Sequence, residues 1–184
     1  MTILVAVKLK DRILLGCDSL ITNGEFKITP PNYSKIVEVS PSLLIAFTGS
    51  TMAYHILSDF AKKKPKPQPP KDANEAFKLA RSIFALYKEE MEKSISYKPN
   101  AEDGIEIVIC TPDNIINCSE TSCEIADSYL AAGTGMDYAL GSLYNDHARK
   151  RLNEKSVSIA ISAAVCYNVS CGNPIVIREI LRND

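Results

Sequence analysis

Thr2-Ile3-Leu4-Val5-Ala6-Val7-Lys8, with Ile13-Leu14-Leu15-Gly16-Cys17-Asp18 after it, is the stretch from which the fold is read. Both apolar runs are aliphatic or β-branched and too short for helices, and Lys10-Asp11-Arg12 between them has the composition of a turn. The pair predicts a β-hairpin, whose antiparallel return brings Asp18 close to Thr2. A residue at the start of one strand and a carboxylate at the end of its partner are then neighbours although they are far apart along the chain.

Working outward, Ile21 to Asn32 is polar, carries Asn23-Gly24 and Pro30-Pro31, and reads as a turn and a loop. Lys35-Ile36-Val37-Glu38-Val39 and Leu43-Leu44-Ile45-Ala46-Phe47 form a second hairpin around Ser40-Pro41-Ser42. Thr48-Gly49-Ser50 breaks the strand, with Ser50 or Thr51 as cap of a helix running toward Lys63. Lys62 to Lys71 holds four prolines among lysines and reads as a stiff exposed linker. Asp72 is the expected N-cap of a long helix ending near Tyr97, with Phe77, Ala80, Phe84, Tyr87 and Met91 on its apolar face. Gly104 to Cys110 and Ile115 to Cys118 make a third hairpin, and Asp127 to Ala132 a further strand stopped by Gly133-Thr134-Gly135. Helices follow over about Met136 to Arg151 and Glu154 to Tyr167, then a last strand from Ile175 to Leu181. Strands in neighbouring hairpins and helices in pairs favour antiparallel sheets with helices outside, rather than alternating β-α units. One domain over 1–184 is expected.

Composition narrows the function classes. The 21 basic and 22 acidic residues leave a net charge of −1, which gives no reason to expect nucleic acid or an anionic membrane as partner. No apolar run approaches the roughly 18 residues of a membrane span, and the N-terminus lacks the features of a signal peptide, so a cytoplasmic protein is expected. The six cysteines are then read as reduced rather than as three disulfides. Cys17 and Cys110 sit in apolar runs as small buried hydrophobes. The pairs Cys118/Cys123 and Cys166/Cys171, with only His55 and His147 to complete them, argue against a structural zinc site.

The familiar hydrolytic motifs are absent: there is no Gly-x-Ser-x-Gly elbow, His-Glu-x-x-His or phosphate-binding Gly-rich loop. His55 and His147 read as surface or boundary residues of helical segments. A base is nevertheless available at the chain terminus, because an α-amine titrates near pH 7.7–8.0. Removal of Met1 would place that amine and a hydroxyl nucleophile on the same residue, Thr2, with no need for histidine. A retained Met1 would put the amine on the wrong residue.

Taken singly, Asp18 reads as a strand-end turn residue, Lys35 as a solvated edge charge, and Gly49 as a strand-to-helix break. Taken together and in order, the N-terminal Thr2, Gly16-Cys17-Asp18, Lys35-Ile36-Val37, and Ala46-Phe47-Thr48-Gly49-Ser50 resemble the proteasome β subunits and, more closely, the bacterial HslV-type peptidase. Gly133-Thr134-Gly135-Met136-Asp137-Tyr138-Ala139 is similar to that family's Gly-Ser-Gly-x-x-Tyr-Ala segment at a helix start. The resemblance covers nearly the whole chain. It implies an α+β fold, the four-layer αββα sandwich of N-terminal nucleophile (Ntn) hydrolases. It also implies a threonine-type endopeptidase with Thr2 as nucleophile, Lys35 as the cation beside it, Asp18 fixing Lys35, and the Gly49 N–H receiving the oxyanion. The expected substrates are unfolded proteins or peptides, inside a homo-oligomeric ring with a possible ATPase regulator. No cofactor is required; a structural monovalent cation on the carbonyls of Ala163, Cys166 and Val169 is implied by the HslV branch.

The sequence also departs from the family. Met136 stands where a second serine supports the amine, Thr134 matches the first serine, and Arg-Asp-x-x-Ser-Gly is reduced to Ser170 and Gly172, with Tyr167 or Asn168 at the aspartate. Two other readings follow: an inactive assembly subunit, or an Ntn hydrolase acting on a non-protein amide or a specific peptide.

Overall fold

The computed structural model describes residues 2–23, 26–31, 33–93 and 105–182. Met1, Gly24, the expected helix end at Tyr97 and the expected strand start at Gly104 lie outside them.

The opening hairpin forms as read: β1 (Leu4–Lys8) pairs antiparallel with β2 (Arg12–Asp18), Leu4 opposite Cys17. It is the centre of a sheet rather than an edge, because β10 (Tyr129–Ala132) joins β1 and β11 (Ile175–Leu181) joins β2. A second, five-stranded antiparallel sheet runs in chain order: β5 (Ile36–Ser40), β6 (Leu43–Phe47), β7 (Ile107–Cys110), β8 (Ile115–Cys118) and β9 (Cys123–Ala126). Helices α1 (Met52–Lys62) and α2 (Ala73–Glu92) follow β6. Helices α3 (Met136–Ala148) and α4 (Glu154–Tyr167) lie between β10 and β11.

The continuous apolar runs have a physical cause: each sheet is covered on both faces. In β1, Ile3, Val5 and Val7 pack on Ala139 and Leu143 of α3 and Val157, Ala160, Ile161 and Ala164 of α4. Leu4 and Ala6 point the other way, with Leu15, Leu44, Val108 and Ile115, into the layer between the sheets. The outer face of the five-stranded sheet buries Ile45, Phe47, Ile107 and Ile109 against Leu57, Phe60, Ile83 and Phe84 of α1 and α2. The result is four layers, helices on sheet on sheet on helices.

Local signals set the element ends. Asp72 accepts a hydrogen bond from the Glu75 N–H at 2.8 Å and caps α2. Ser50 Oγ accepts from the Met52 N–H at 3.2 Å at the start of α1, whereas Thr51 makes no side-chain cap.

Three readings are corrected. Residues 21–28 are not all loop: β3 (Ile21–Asn23) and β4 (Phe26–Ile28) form a small hairpin whose polar, exposed composition hid its strands. The buried face of α2 is Ala76, Ala80, Ile83, Phe84 and Tyr87, so Phe77 sits half-buried at its margin, displaced by the smaller Ala76 beneath it. Cys118 and Cys123 are joined in a disulfide, because the β8–β9 register sets them directly opposite each other across a tight turn. Cys17 and Cys110 are free and fully buried.

Candidate active site

The opening hairpin delivers the first pair of groups. Ile3 lies across from Asp18: the Ile3 N–H donates to Asp18 Oδ1 at 3.0 Å, and the Asp18 N–H donates back to the Ile3 carbonyl at 3.3 Å. Lys35 stands just before β5, where its carbonyl accepts from the Phe47 N–H at the end of β6. Its ammonium reaches across to Asp18 Oδ1 at 2.7 Å. The Leu20 and Gly172 N–H groups donate to the other oxygen, Oδ2, at 3.3 and 3.1 Å.

Asp18 is completely buried and the Lys35 side chain is 4% exposed. Burying such a pair is costly unless its polar atoms are hydrogen-bonded, and four donors around one carboxylate meet that requirement. The solvated edge charge that Lys35 alone suggested is not what the fold builds.

Thr2, itself buried, forms one wall of a cleft of about 310 Å³ together with Lys35, Gly49, Leu20, Ile21 and Phe47. Gly49 has φ of +92°, a conformation open to glycine at little cost, and this turns the backbone between β6 and α1 along the cleft. Tyr33 also lines the cleft and is held neutral: burial raises its phenol well over the ordinary value. Thr2, Asp18, Lys35 and Gly49, from four separate segments, are thus brought together.

The glycine turn after β10 closes on Thr2 from the other side. Gly133 has φ of +91°, and a Cβ there would strike the Thr2 carbonyl oxygen. That oxygen accepts from the Gly135 N–H and from Thr134 Oγ1, each at 3.4 Å. Gly133-Thr134-Gly135 is therefore a strand-to-helix turn fitted to the Thr2 main chain. Met136 is 43% exposed at the first position of α3.

Tyr167 and Asn168, the two candidates for the aspartate position, lie in different surroundings. Tyr167 is 70% exposed and stacks on Tyr138, while Asn168 is half-buried and donates from Nδ2 to the Thr134 carbonyl at 2.6 Å. Of the two residues left from the Arg-Asp-x-x-Ser-Gly pattern, Ser170 is buried and Gly172 supplies its N–H to Asp18, a main-chain role that no side-chain signal in the sequence announces. Cys171 lies beside the same turn, its sulfur 3.0 Å from where a Gly135 Cβ would be. Ala163 and Cys166 occupy the last turn of α4 and Val169 the turn beyond it, at the carbonyl-rich helix end where a cation is favoured. His55 and His147 are exposed, in ring contact with Tyr54 and Tyr129. Neither lines the cleft. Among the described residues no group of three or more His, Cys, Asp or Glu is arranged for a metal.

The family model described as "Proteasome subunit" matches residues 2–166. The chain belongs to the proteasome subunit family. Its four-layer fold is shared with solved proteins of low sequence identity. BPH of Thiobacillus denitrificans, in a complex with epoxomicin, superposes with a TM-score of 0.81 at 21% identity, covering 99% of this chain and all of that one. A eukaryotic HslV from Trypanosoma brucei superposes at 0.66 and 15% identity, covering 98% of this chain and 99% of that one. Anbu from Yersinia bercovieri gives 0.69 and 12%, covering 97% of this chain and 82% of that one. A search of the curated proteins gives no match. Within this proteasome-type framework, the buried Asp18–Lys35 pair beside Thr2 is the chemically distinctive feature.

Proposed function

We propose that the protein is a threonine-type endopeptidase subunit of a self-compartmentalising, proteasome-like protease. The observation that carries this reading is the fully buried Asp18 carboxylate, tied both to Lys35 Nζ at 2.7 Å and to the N–H of Ile3, the residue after Thr2.

Once Met1 is removed, Thr2 Oγ attacks the peptide carbonyl and the Thr2 amine accepts the hydroxyl proton. The neighbouring Lys35 cation favours the neutral amine and stabilises the developing alkoxide. Asp18 holds Lys35 in that position. The oxyanion of the tetrahedral intermediate takes a hydrogen bond from the Gly49 N–H; losing such a donor typically lowers the rate by about 10² to 10³. Collapse breaks the C–N bond, the protonated amine gives its proton to the leaving amine, and an ester on Thr2 remains. Water, deprotonated by the same amine, hydrolyses that ester.

The carbonyls of Ala163, Cys166 and Val169 are proposed to hold a structural monovalent cation that takes no part in these steps. The proposed setting is a cytoplasmic homo-oligomeric ring, acting on unfolded proteins or peptides under an ATPase regulator. No helix among the described residues is long and apolar enough to cross a membrane.

Because the T. denitrificans relative was solved with epoxomicin, that compound is the probe. Intact mass is measured on native protein before and after epoxomicin, for wild type and Thr2→Ala. The expected result is loss of Met1 and one adduct, with the adduct absent in Thr2→Ala. Retained Met1 and no adduct would overturn the enzyme reading in favour of an assembly subunit. An adduct without turnover of any peptide library would point to a small amide or a specific peptide as substrate.

A further inference from the structure

We propose that Asn168 is a positioning residue for the Thr2 centre, acting as a neutral hydrogen-bond donor that a carboxylate cannot replace. The proposal rests on the peptidase reading of Thr2 and goes beyond it.

Three bonds place Asn168 at the junction of the two segments that hold the site. Its Nδ2 donates to the Thr134 carbonyl at 2.6 Å, across 34 positions of sequence. Thr134 and Gly135 in turn donate to the Thr2 carbonyl. On the other side, Asn168 Oδ1 accepts from the Ser170 N–H at 2.9 Å, a local side-chain turn. The Asn168 carbonyl accepts from the Cys171 N–H at 3.0 Å. That turn presents the Gly172 N–H to Asp18 Oδ2 at 3.1 Å, and the Gly172 carbonyl accepts from the Ser19 N–H. One amide side chain therefore ties the strand-to-helix turn over Thr2 to the turn that supports Asp18.

The two ends of the amide make different demands. Oδ1 meets a donor and Nδ2 meets an acceptor, so the orientation of the side chain is fixed by its partners. An ionised carboxylate satisfies the Ser170 end and fails at Thr134, where it would set an anionic oxygen against a carbonyl oxygen. An aspartate at position 168 is thus the wrong residue for this turn. Protonation would restore the missing donor, and this gives the variant a signature that a merely structural contact lacks.

The experiment compares wild type, Asn168→Asp and Asn168→Ala in peptide hydrolysis over pH 5 to 8.5, with Tm measured for each. Asn168→Asp is expected to lose about tenfold in kcat at pH 8, the equivalent of one hydrogen bond, with KM changed less than about twofold. The Thr134 carbonyl oxygen opposite it raises the introduced carboxyl above its ordinary range. The kcat of Asn168→Asp relative to wild type therefore rises as pH falls toward 5 and the carboxyl gains its proton, whereas Asn168→Ala stays at a constant fraction. Wild-type kcat in Asn168→Asp across the range, a loss confined to KM, or parallel pH profiles for the two variants overturns the proposal. Hydrogen exchange of the Gly135 amide, faster in Asn168→Asp at pH 8 than in wild type, reads the same anchor without activity. If wild type proves inert to epoxomicin, the peptidase reading fails while this exchange measurement still decides whether Asn168 holds the turn. Unchanged exchange there sinks the positioning role.

Discussion

At the scale of single residues, the Asp18–Lys35 pair carries the largest consequence. Asp18 has no solvent exposure and four hydrogen-bond donors around it. Asp18→Asn keeps the shape but leaves the Lys35 ammonium without its carboxylate. Breaking a buried pair in this way costs about 3–5 kcal/mol, which for a chain of this size lowers Tm by roughly 10 °C. Epoxomicin labelling is expected to fall with it, because Lys35 would no longer be held beside Thr2. Thermal melts and labelling rates test this together; full stability and full labelling in Asp18→Asn would show that the pair is dispensable. Its two members were legible in the sequence, since each stands at a strand boundary that hairpin reading locates. Their burial was not, because a lysine ahead of an alternating strand has the same local pattern whether it faces water or a carboxylate.

At the scale of elements, α4 is the piece that links core and site. Its inner face packs Val157 and Ile161 over Gly16 of β2, where an added Cβ would approach their side chains at 2.7 and 2.6 Å. Glycine at this position lets the helix lie close to the sheet. The N-terminus of α4 carries a capping box: Asn153 Oδ1 accepts from the Lys155 N–H at 2.8 Å, and Ser156 Oγ accepts from the Asn153 N–H at 3.2 Å. Ser156 Oγ also donates to Asp146 of α3 at 2.7 Å, which joins the two helices. Asn153→Ala is expected to cost about 1 kcal/mol and to lower Tm by about 2–4 °C with epoxomicin labelling unchanged. A loss of labelling at unchanged Tm would mean that the far end of α4, near Asn168, feels its N-terminus directly. The start and end of α4 were readable from Glu154 and Tyr167. On α2, Ala80, Phe84 and Tyr87 are buried as the periodicity predicts, whereas Ala76 takes the place of Phe77, because both fit the same apolar stripe until a sheet is there to select the smaller.

At the scale of the whole molecule, close packing sets the chemistry of the thiols. Burial pushes the Cys17 thiol up to about 11 and the Cys171 thiol likewise up to about 11. A thiol in the unfolded chain titrates near 8.5. Between those values the unfolded chain releases protons that the folded protein keeps, so stability falls with rising pH. The contribution is fully present below about pH 8.5 and is lost as pH climbs through 11. Tm is expected to drop by roughly 10–25 °C between pH 8.5 and 11, and the drop should be shallower in a Cys17→Ala/Cys171→Ala variant. Parallel curves for the two proteins would assign the loss to other groups.

The sequence by itself determined the opening hairpin that sets Asp18 near Thr2, and the order of the helices and of the longer strands, because these rest on local periodicity, turn residues and strand ends. Lys35 and Gly49 stood out only through the ordered resemblance to a family, and the short strands β3, β4 and β9 carried too little pattern to read. Only the tertiary structure decided that β1 and β2 lie at the centre of a sheet covered on both faces, that Cys118 meets Cys123, and that the Asn168 amide reaches the Thr134 carbonyl. The physical reason is common to all three. Pairing partners such as Ala132 for Leu4, Cys123 for Cys118, or the Thr134 carbonyl for Asn168 Nδ2 are set by the register and stacking of whole layers, and no local window of residues contains that information.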